Sequence, residues 1–428
     1  MQSQVGVNSG NSTAKSLVDR VTDSYSRIFS VREIGEDIIL RWMTGAILLG
    51  FFVTFDSWKY SYNTTLRAVE KSAYICWPFF QNCQNLIWME ALPYGYSQTI
   101  FFMGLFGIMA ASIYFMYEKR WEIVHFLILF LFSIKIYLML IDYEHKGNYD
   151  YYHNAFCIIY LFARHRVFFF RFCLVFFYFL STASKIYPSW VLGEYFTALK
   201  TGLPIFPFGT EILMTNLVII MEMIFSWFLL SSNKFFQRAV FVFFVIFHLY
   251  SGILVGYRYP ATVLPALLIL FGPWFRPLPP PTGKSSLVGW GLMGLLLAAQ
   301  ITPHLISGDE KLTLEGNQYG LYMFEANHQC YSTISRGDKV LSSMKSASAR
   351  FRCDPYFVWF QAKNIYCRDG EGPVKMIYNH SVNGRAFREI VNEPDICNLS
   401  YKAFGHNSWI KDEKTAPTGG VPVQNIYQ

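Results

Sequence analysis

The chain has 428 residues and a net charge of +7, with 53% hydrophobic and 15% charged side chains, against about 25% charged in an ordinary soluble domain. Phe (41), Tyr (28) and Trp (11) are abundant, as in helices that meet both membrane interfaces. No basic block of five or more occurs and the arginines are scattered, which excludes a nucleic-acid binder and points to an integral membrane protein in contact with a lipid bilayer.

Residues 1–35 are polar, mix both charges and lack the basic start and apolar core of a cleaved leader. They read as a flexible cytoplasmic tail with an amphipathic approach to the first span. Nine apolar segments follow, roughly 36–55, 97–117, 121–142, 151–164, 166–186, 210–231, 235–256, 260–275 and 286–305, each compared with the ~20 residues a crossing helix needs. Segments 151–164 and 260–275 are short, and the second contains Pro265 and Pro273. RPLPPPTGKSS at 276–286 reads as a stiff linker. With the N-terminus in the cytoplasm, thirteen Lys and Arg lie on the inner side, among them Arg164, Arg166, Arg171 and Arg276. Seven lie in the outer loops, as the positive-inside rule requires.

After 305 the pattern changes. YGLYMFEA, YFVWFQAKNIYC and VKMIYNHSV have the aromatic and β-branched content of strands. Asn327-His328 and Asp369-Gly370 mark turns, and Asn383-Gly384 a tight hairpin. The expected architecture is an all-α polytopic membrane domain, 36–305, followed by a small β-rich exoplasmic domain, 306–411, and a disordered tail, 412–428.

Cys157 and Cys173 lie inside spans, whereas Cys76, Cys83, Cys330, Cys353, Cys367 and Cys397 all fall in outer segments. An even number outside and none in the reducing compartment suits disulfides. Cys76–Cys83 is the simplest pair, and the other four allow three pairings that sequence does not separate. Free buried thiols are the alternative. The sequons at Asn63, Asn379 and Asn398 are also on the outer side. His304, His328, His380 and His406 are too widely spaced, without a paired Cys-x-x-Cys, to predict a metal site.

Ionisable groups within apolar runs are costly and mark function or a buried partner. Asp142, His153, Lys185 and His248 come from four helices to the same outer half, the pattern of a lined cavity. The competing readings are an interfacial Asp142, a loop His153, a snorkelling Lys185 and a hydrogen-bonded core His248. Lys135 and Glu222 are also embedded, and either pair with each other or line the same cavity. Desolvation would make Lys185 a usable base, with the histidines orienting a substrate or stabilising an anion.

YFLSTASKIYPSWVLGEYF, beginning at Tyr178, resembles the signature helix of the horizontally transferred transmembrane domain family, which includes vitamin K-dependent gamma-carboxylase. Tyr178, Phe179, Lys185, Ile186, Trp190 and Gly193 carry the resemblance, and 203–208 and Phe247-His248 follow in order. The resemblance implies that Lys185 deprotonates a reduced quinone such as vitamin K hydroquinone, with His153 and His248 nearby. It also implies nine spans and an exoplasmic terminal domain. Asp142, Glu222, Trp190 and Tyr178 would line the substrate cavity. The outer region here is far smaller than the carboxylase's, so protein glutamate carboxylation is not expected. Two functions compete. One is a lysine-base enzyme of carboxylase or epoxidase type acting on a quinol-like or lipidic substrate. The other is a non-enzymatic maturation or assembly factor whose outer domain binds an exported peptide or protein. A transporter is disfavoured, because neither an inverted repeat nor paired broken helices are visible.

Overall fold

A computed structural model describes residues 17–55, 75–86, 96–143, 147–199, 202–322, 325–346, 353–368 and 370–418. Two helices, α1 (Leu17–Ile28) and α2 (Arg32–Glu36), occupy the region read from sequence as a tail. The bundle then comprises α3 (Ile38–Val53), α4 (Tyr96–Tyr117), α5 (Trp121–Ile141), α6 (Asn148–Phe162) and α7 (Arg166–Ala183). The single-turn helices α8 (Pro188–Val191) and α9 (Glu194–Thr197) follow. They lead to α10 (Glu211–Met223) with its 3-10 extension Phe225–Leu230, then α11 (Lys234–Val255), α12 (Arg258–Phe271) and α13 (Leu287–Ile306).

Among the described residues, six stretches are long and apolar enough to cross a bilayer: Thr99–Tyr117, Trp121–Ile141, Arg166–Ala183, Glu211–Leu230, Lys234–Leu254 and Lys284–Ile306. The chain is therefore built as a multi-pass membrane protein. The other three expected spans are α3, α6 and α12, of 16, 15 and 14 residues, short of the ~20 that a lipid-facing helix needs. Each contributes one face to the interior. Tyr152, Phe156, Ile159 and Tyr160 of α6 are buried in the same core as Ile39, Met43 and Phe51 of α3 and Val263, Leu267 and Leu270 of α12. The innermost long helix is α7, with 78% of its span buried against 17–39% for the other five.

Two of the arginines assigned to the inner side are structural. Arg166 is fully buried and donates to Tyr160 O at 2.7 Å and Ser30 O at 3.1 Å, and pairs with Glu33 at 2.9 Å. It ties the start of α7 to the α1–α2 corner. Arg171 donates to Leu270 O and Arg276 O and lies 4.7 Å over the Phe275 ring.

Beyond α13 stands an antiparallel sheet of β1 (His328–Arg336), β2 (Lys339–Ser346), β3 (Lys375–Val382) and β4 (Arg388–Glu393), in the order β2-β1-β3-β4. β3 was read from VKMIYNHSV. The β3–β4 turn is at Asn383-Gly384, where φ is 53° and 73°, the backbone that favours this dipeptide. Two other expected strands are not strands among the described residues. YFVWFQAKNIYC is the helix α14 (Pro355–Tyr366): the Asp354 side chain accepts the Tyr356 N–H at 2.9 Å and Pro355 occupies the first turn. That N-terminal signal outweighs aromatic content. YGLYMFEA begins in a 3-10 turn, Asn317–Tyr319, and two of its residues lie outside the described set, as do Asp369 and Asn63. Residues 412–418, read as part of the tail, pack on the sheet. Arg388 donates to Glu413 O and Ala416 O, each at 3.1 Å, and Ala416 is buried.

Disulfides join Cys76–Cys83, Cys330–Cys353 and Cys367–Cys397, and Cys157 and Cys173 are free and buried. The first links residues far from the sheet in sequence, yet Ile75, Cys76, Trp77 and Cys83 share a core with Tyr356, Trp359, Tyr378 and Ile390. Tyr356 Oη donates to Cys76 O at 2.7 Å and Gln81 Nε2 to Tyr401 O at 3.0 Å. The outer domain is thus assembled from two chain segments. Asn379 is buried in β3, while Asn398 is exposed beyond β4.

Candidate functional site

Tyr178, Thr182 and Lys185 recur at four- and three-residue spacing, so they lie along one face of α7 and its end. The face meets α10 and α11. Lys185 Nζ is 2.6 Å from Glu222 Oε2, with both side chains under 5% exposed. Thr182 Oγ1 donates to the same oxygen at 2.5 Å. The Lys185 ammonium also stands 5.6 Å from the centre of the Trp190 ring, a favourable placement of a cation over a π face. About 10 Å back along α7, the Tyr178 hydroxyl and His248 Nε2 are 2.5 Å apart. Tyr259 stacks obliquely on His248 at 5.5 Å and donates to Tyr152 Oη at 3.3 Å. Two buried sets spaced along α7, Lys185 with Glu222 and Trp190 and Tyr178 with His248, make up this network.

Two atoms of this network keep hydrogen-bonding capacity. His248 Nδ1 and Trp190 Nε1 are buried with no hydrogen-bond partner among the described residues. Such orphans are few in folded proteins and usually mark a ligand, an ion or a water.

His153 belongs elsewhere, which corrects the grouping drawn from depth alone. Its Nδ1 is 2.9 Å from Lys135 Nζ and its Nε2 is 2.9 Å from Ile47 O. Lys135 also contacts Asp150 at 3.0 Å and Thr54 Oγ1 at 3.1 Å. Both ring nitrogens of His153 and all three ammonium donors of Lys135 are committed, so this second cluster is closed. Lys135 and Glu222 do not pair with each other. Lys135 takes Asp150, which lies just ahead of the predicted start of its span. Gly50 makes the close fit possible, since a Cβ there would stand 2.3 Å from His153 Cδ2. Asp142 is buried at the C-terminal cap of α5. Its neighbour Tyr143 bonds to Ile75 O at 3.1 Å and to the Asp354 carboxylate, within the outer domain.

No protein-family model, curated protein or solved structure matches this chain. Its site is therefore read from its own chemistry. Among the described residues, no group of three or more His, Cys, Asp or Glu side chains is placed to hold a metal ion.

The residues after Lys185 form a cap that the outer domain holds. Gly193 takes φ +81°, and a Cβ there would come within 2.9 Å of Glu211, so the chain can turn there only with glycine. Trp190, Tyr195, Phe196 and Leu199 make a small core of their own. Asn383 Nδ2 donates to Ser189 Oγ at 2.7 Å and to Tyr187 Oη at 3.0 Å, and Asn327 Nδ2 to Tyr195 O at 2.8 Å. Arg385 grips Glu194 through two bonds of 2.8 and 3.0 Å. That grip holds the Glu194 carboxyl below its ordinary range, assisted by Ser189. Thr182, Tyr152 and Tyr259 were not singled out from sequence. Thr182 was within reach, lying four residues after Tyr178 and three before Lys185.

Proposed function

We propose that this chain is a membrane enzyme of the horizontally transferred transmembrane domain type, in which Lys185 and Glu222 together remove a proton from a quinol-like lipid. The observation that carries this reading is the buried 2.6 Å Lys185–Glu222 pair, taken with the unpartnered His248 Nδ1 and Trp190 Nε1. The pair holds one proton between them at rest. Glu222 takes that proton from the ammonium, and the freed Lys185 amine accepts a second from an acidic hydroxyl, leaving both groups protonated. Trp190 Nε1–H and His248 would be the groups to stabilise the oxyanion so formed. A reduced quinone, when bound, supplies the acidic hydroxyl and an oxidisable ring. Tyr178 fixes His248 through its hydrogen bond.

In this reading α3, α6 and α12 complete a nine-helix membrane domain, the N-terminus is cytoplasmic and the outer domain is exoplasmic. The three disulfides, gathered at one end of the molecule, support that orientation, because disulfides persist in oxidising compartments. The test is a solvent extract of protein purified in detergent, analysed by mass spectrometry. A quinone should be enriched over bulk membrane lipid with the native chain. It should be lost in Lys185→Met/Glu222→Leu, a double change that leaves no lone buried charge. Absence of quinone enrichment in the native protein overturns the proposal.

The alternative, a maturation factor for an exported protein, is favoured by one feature of the outer domain. Phe404 is 68% exposed, and its ring stacks on Phe79 at 6.3 Å and lies 5.3 Å from Tyr319. Such an aromatic patch suits a protein contact. On this reading, Phe404→Ser would abolish function while the Lys185→Met/Glu222→Leu change would not.

A further inference from the structure

We propose that the loop 202–210 is a rigid wedge seated in the lipid interface, which holds the cap over Lys185 at the membrane surface. It stands independently of the chemistry proposed for the Lys185–Glu222 pair. The loop, GLPIFPFGT, has no charged residue and lies outside every candidate span. Ile205 is 82% exposed, Phe206 38% and Phe208 96%. A floppy loop would fold such side chains inward, but this one is fixed. Ile205 takes φ 76°, a costly backbone for a β-branched residue, between Gly202 and Gly209 at φ 57° and 91°. Pro204 and Pro207 restrict the chain further.

The inner side of the loop is anchored to the site. Tyr250 Oη donates to Pro204 O at 2.5 Å, and its ring meets Phe206 edge-on at 5.4 Å. Tyr250 is two residues past His248 on α11. Thr210 Oγ1 donates to Pro207 O at 2.7 Å. Leu203 packs on the Trp190 core.

The occupant of the outer side is lipid, because exposed apolar side chains resume just past Gly209, Thr210 and Glu211 in the span that follows. Ile212, Leu213, Leu217, Ile220 and Ile224 are exposed along α10 and just beyond it. That stretch belongs to the candidate span Glu211–Leu230. Side chains of this kind sink into the headgroup–acyl boundary, on the end of the bundle where Asn383 and Arg385 hold the cap.

Phe208→Cys tests this in the full chain. Six native cysteines are disulfide-bonded and the other two are buried, so a bimane label goes to position 208. In phosphatidylcholine vesicles, a lipid carrying a nitroxide near the headgroup should quench this label several-fold more than aqueous iodide does. A label at Phe404→Cys on the outer domain should show the reverse order. Iodide quenching at 208 equal to that at 404 overturns the proposal. Protection from both quenchers also overturns it, since that would place a second copy or another protein on the loop. Ile205→Cys repeats the measurement should Phe208→Cys fold poorly.

Discussion

Lys135 and Lys185, both buried in the helical bundle, each meet a carboxylate, and the two settings differ in what they leave open. Lys135 has three acceptors, Asp150, His153 and Thr54, and nothing in its cluster is left to bind a substrate. Lys185 shares Glu222 with Thr182, while His248 and Trp190 keep a free nitrogen each. Removing one partner of a buried pair leaves an uncompensated charge, at a cost of about 3–5 kcal/mol. Lys135→Met should therefore lower the melting temperature sharply, and Lys135→Met/Asp150→Leu should recover most of the loss. A double variant no more stable than the single would refute the pairing. Gly50→Ala should also destabilise, by about 1–3 kcal/mol from overpacking against His153, measurable in the same melts. Sequence showed which residues are embedded but not which way each faces. Tyr178, Lys185, Trp190, Glu222 and His248 could be picked out because each is costly or positioned in an apolar run. The division of His153 from His248, and of Lys135 from Glu222, depends on helix rotation and packing that no single helix encodes.

His380 in β3 shows how an element can set the acid tolerance of a domain. Its Nδ1 contacts Leu312 O at 2.6 Å and its Nε2 faces His328 Nδ1 at 3.1 Å, with Cys330 and Arg388 as its cross-strand neighbours. Burial holds it down, from the ordinary 6.5 to about 4, with the Leu312 carbonyl opposing weakly. Between these values the unfolded chain binds a proton that the folded one refuses. Stability is thus present above pH 6.5 and falls as pH drops towards 4, by up to about 3 kcal/mol. Melts of the full chain in detergent should show this slope, and His380→Gln should make it shallower. A second, lower window belongs to Glu310. Burial raises its carboxyl, but the His304 hydrogen bond and the Lys311 and His304 charges outweigh that and leave it at about 2. Its contribution is lost only below the ordinary 4.5, so it should survive in His380→Gln. Elements were legible where one signal dominated: β3 and its Asn383-Gly384 turn followed from sequence. The helix α14 did not, because its cap is a single Asp-Pro ahead of a run of aromatics that equally suits a strand.

At the scale of the molecule, the outer domain is closed by bonds between distant parts of the chain. Loss of a native disulfide from a small domain typically costs about 2–5 kcal/mol. Cys330→Ser/Cys353→Ser, which frees β1 from the start of α14, should lower the melting temperature more than Cys76→Ser/Cys83→Ser, whose loop is only seven residues apart in sequence. Equal losses would argue against the loop-entropy account. The membrane class and the outer sheet were visible in composition and patterning. Which of the nine expected segments would form the six long described helices was not, since hydropathy records how apolar a segment is and not how far its helix runs.

The enclosed helix α6 has a consequence for how the protein is made. It carries Asp150 and His153 in 15 residues, and a lone Asp or Lys at mid-membrane costs about 2.5–3.5 kcal/mol during translocon insertion. α6 is therefore a poor passenger alone, and α5, with Lys135, is a reluctant one. Delivered together as a hairpin, the two neutralise each other, so biogenesis of this chain should proceed by pairs of helices held back until the partner emerges from the ribosome.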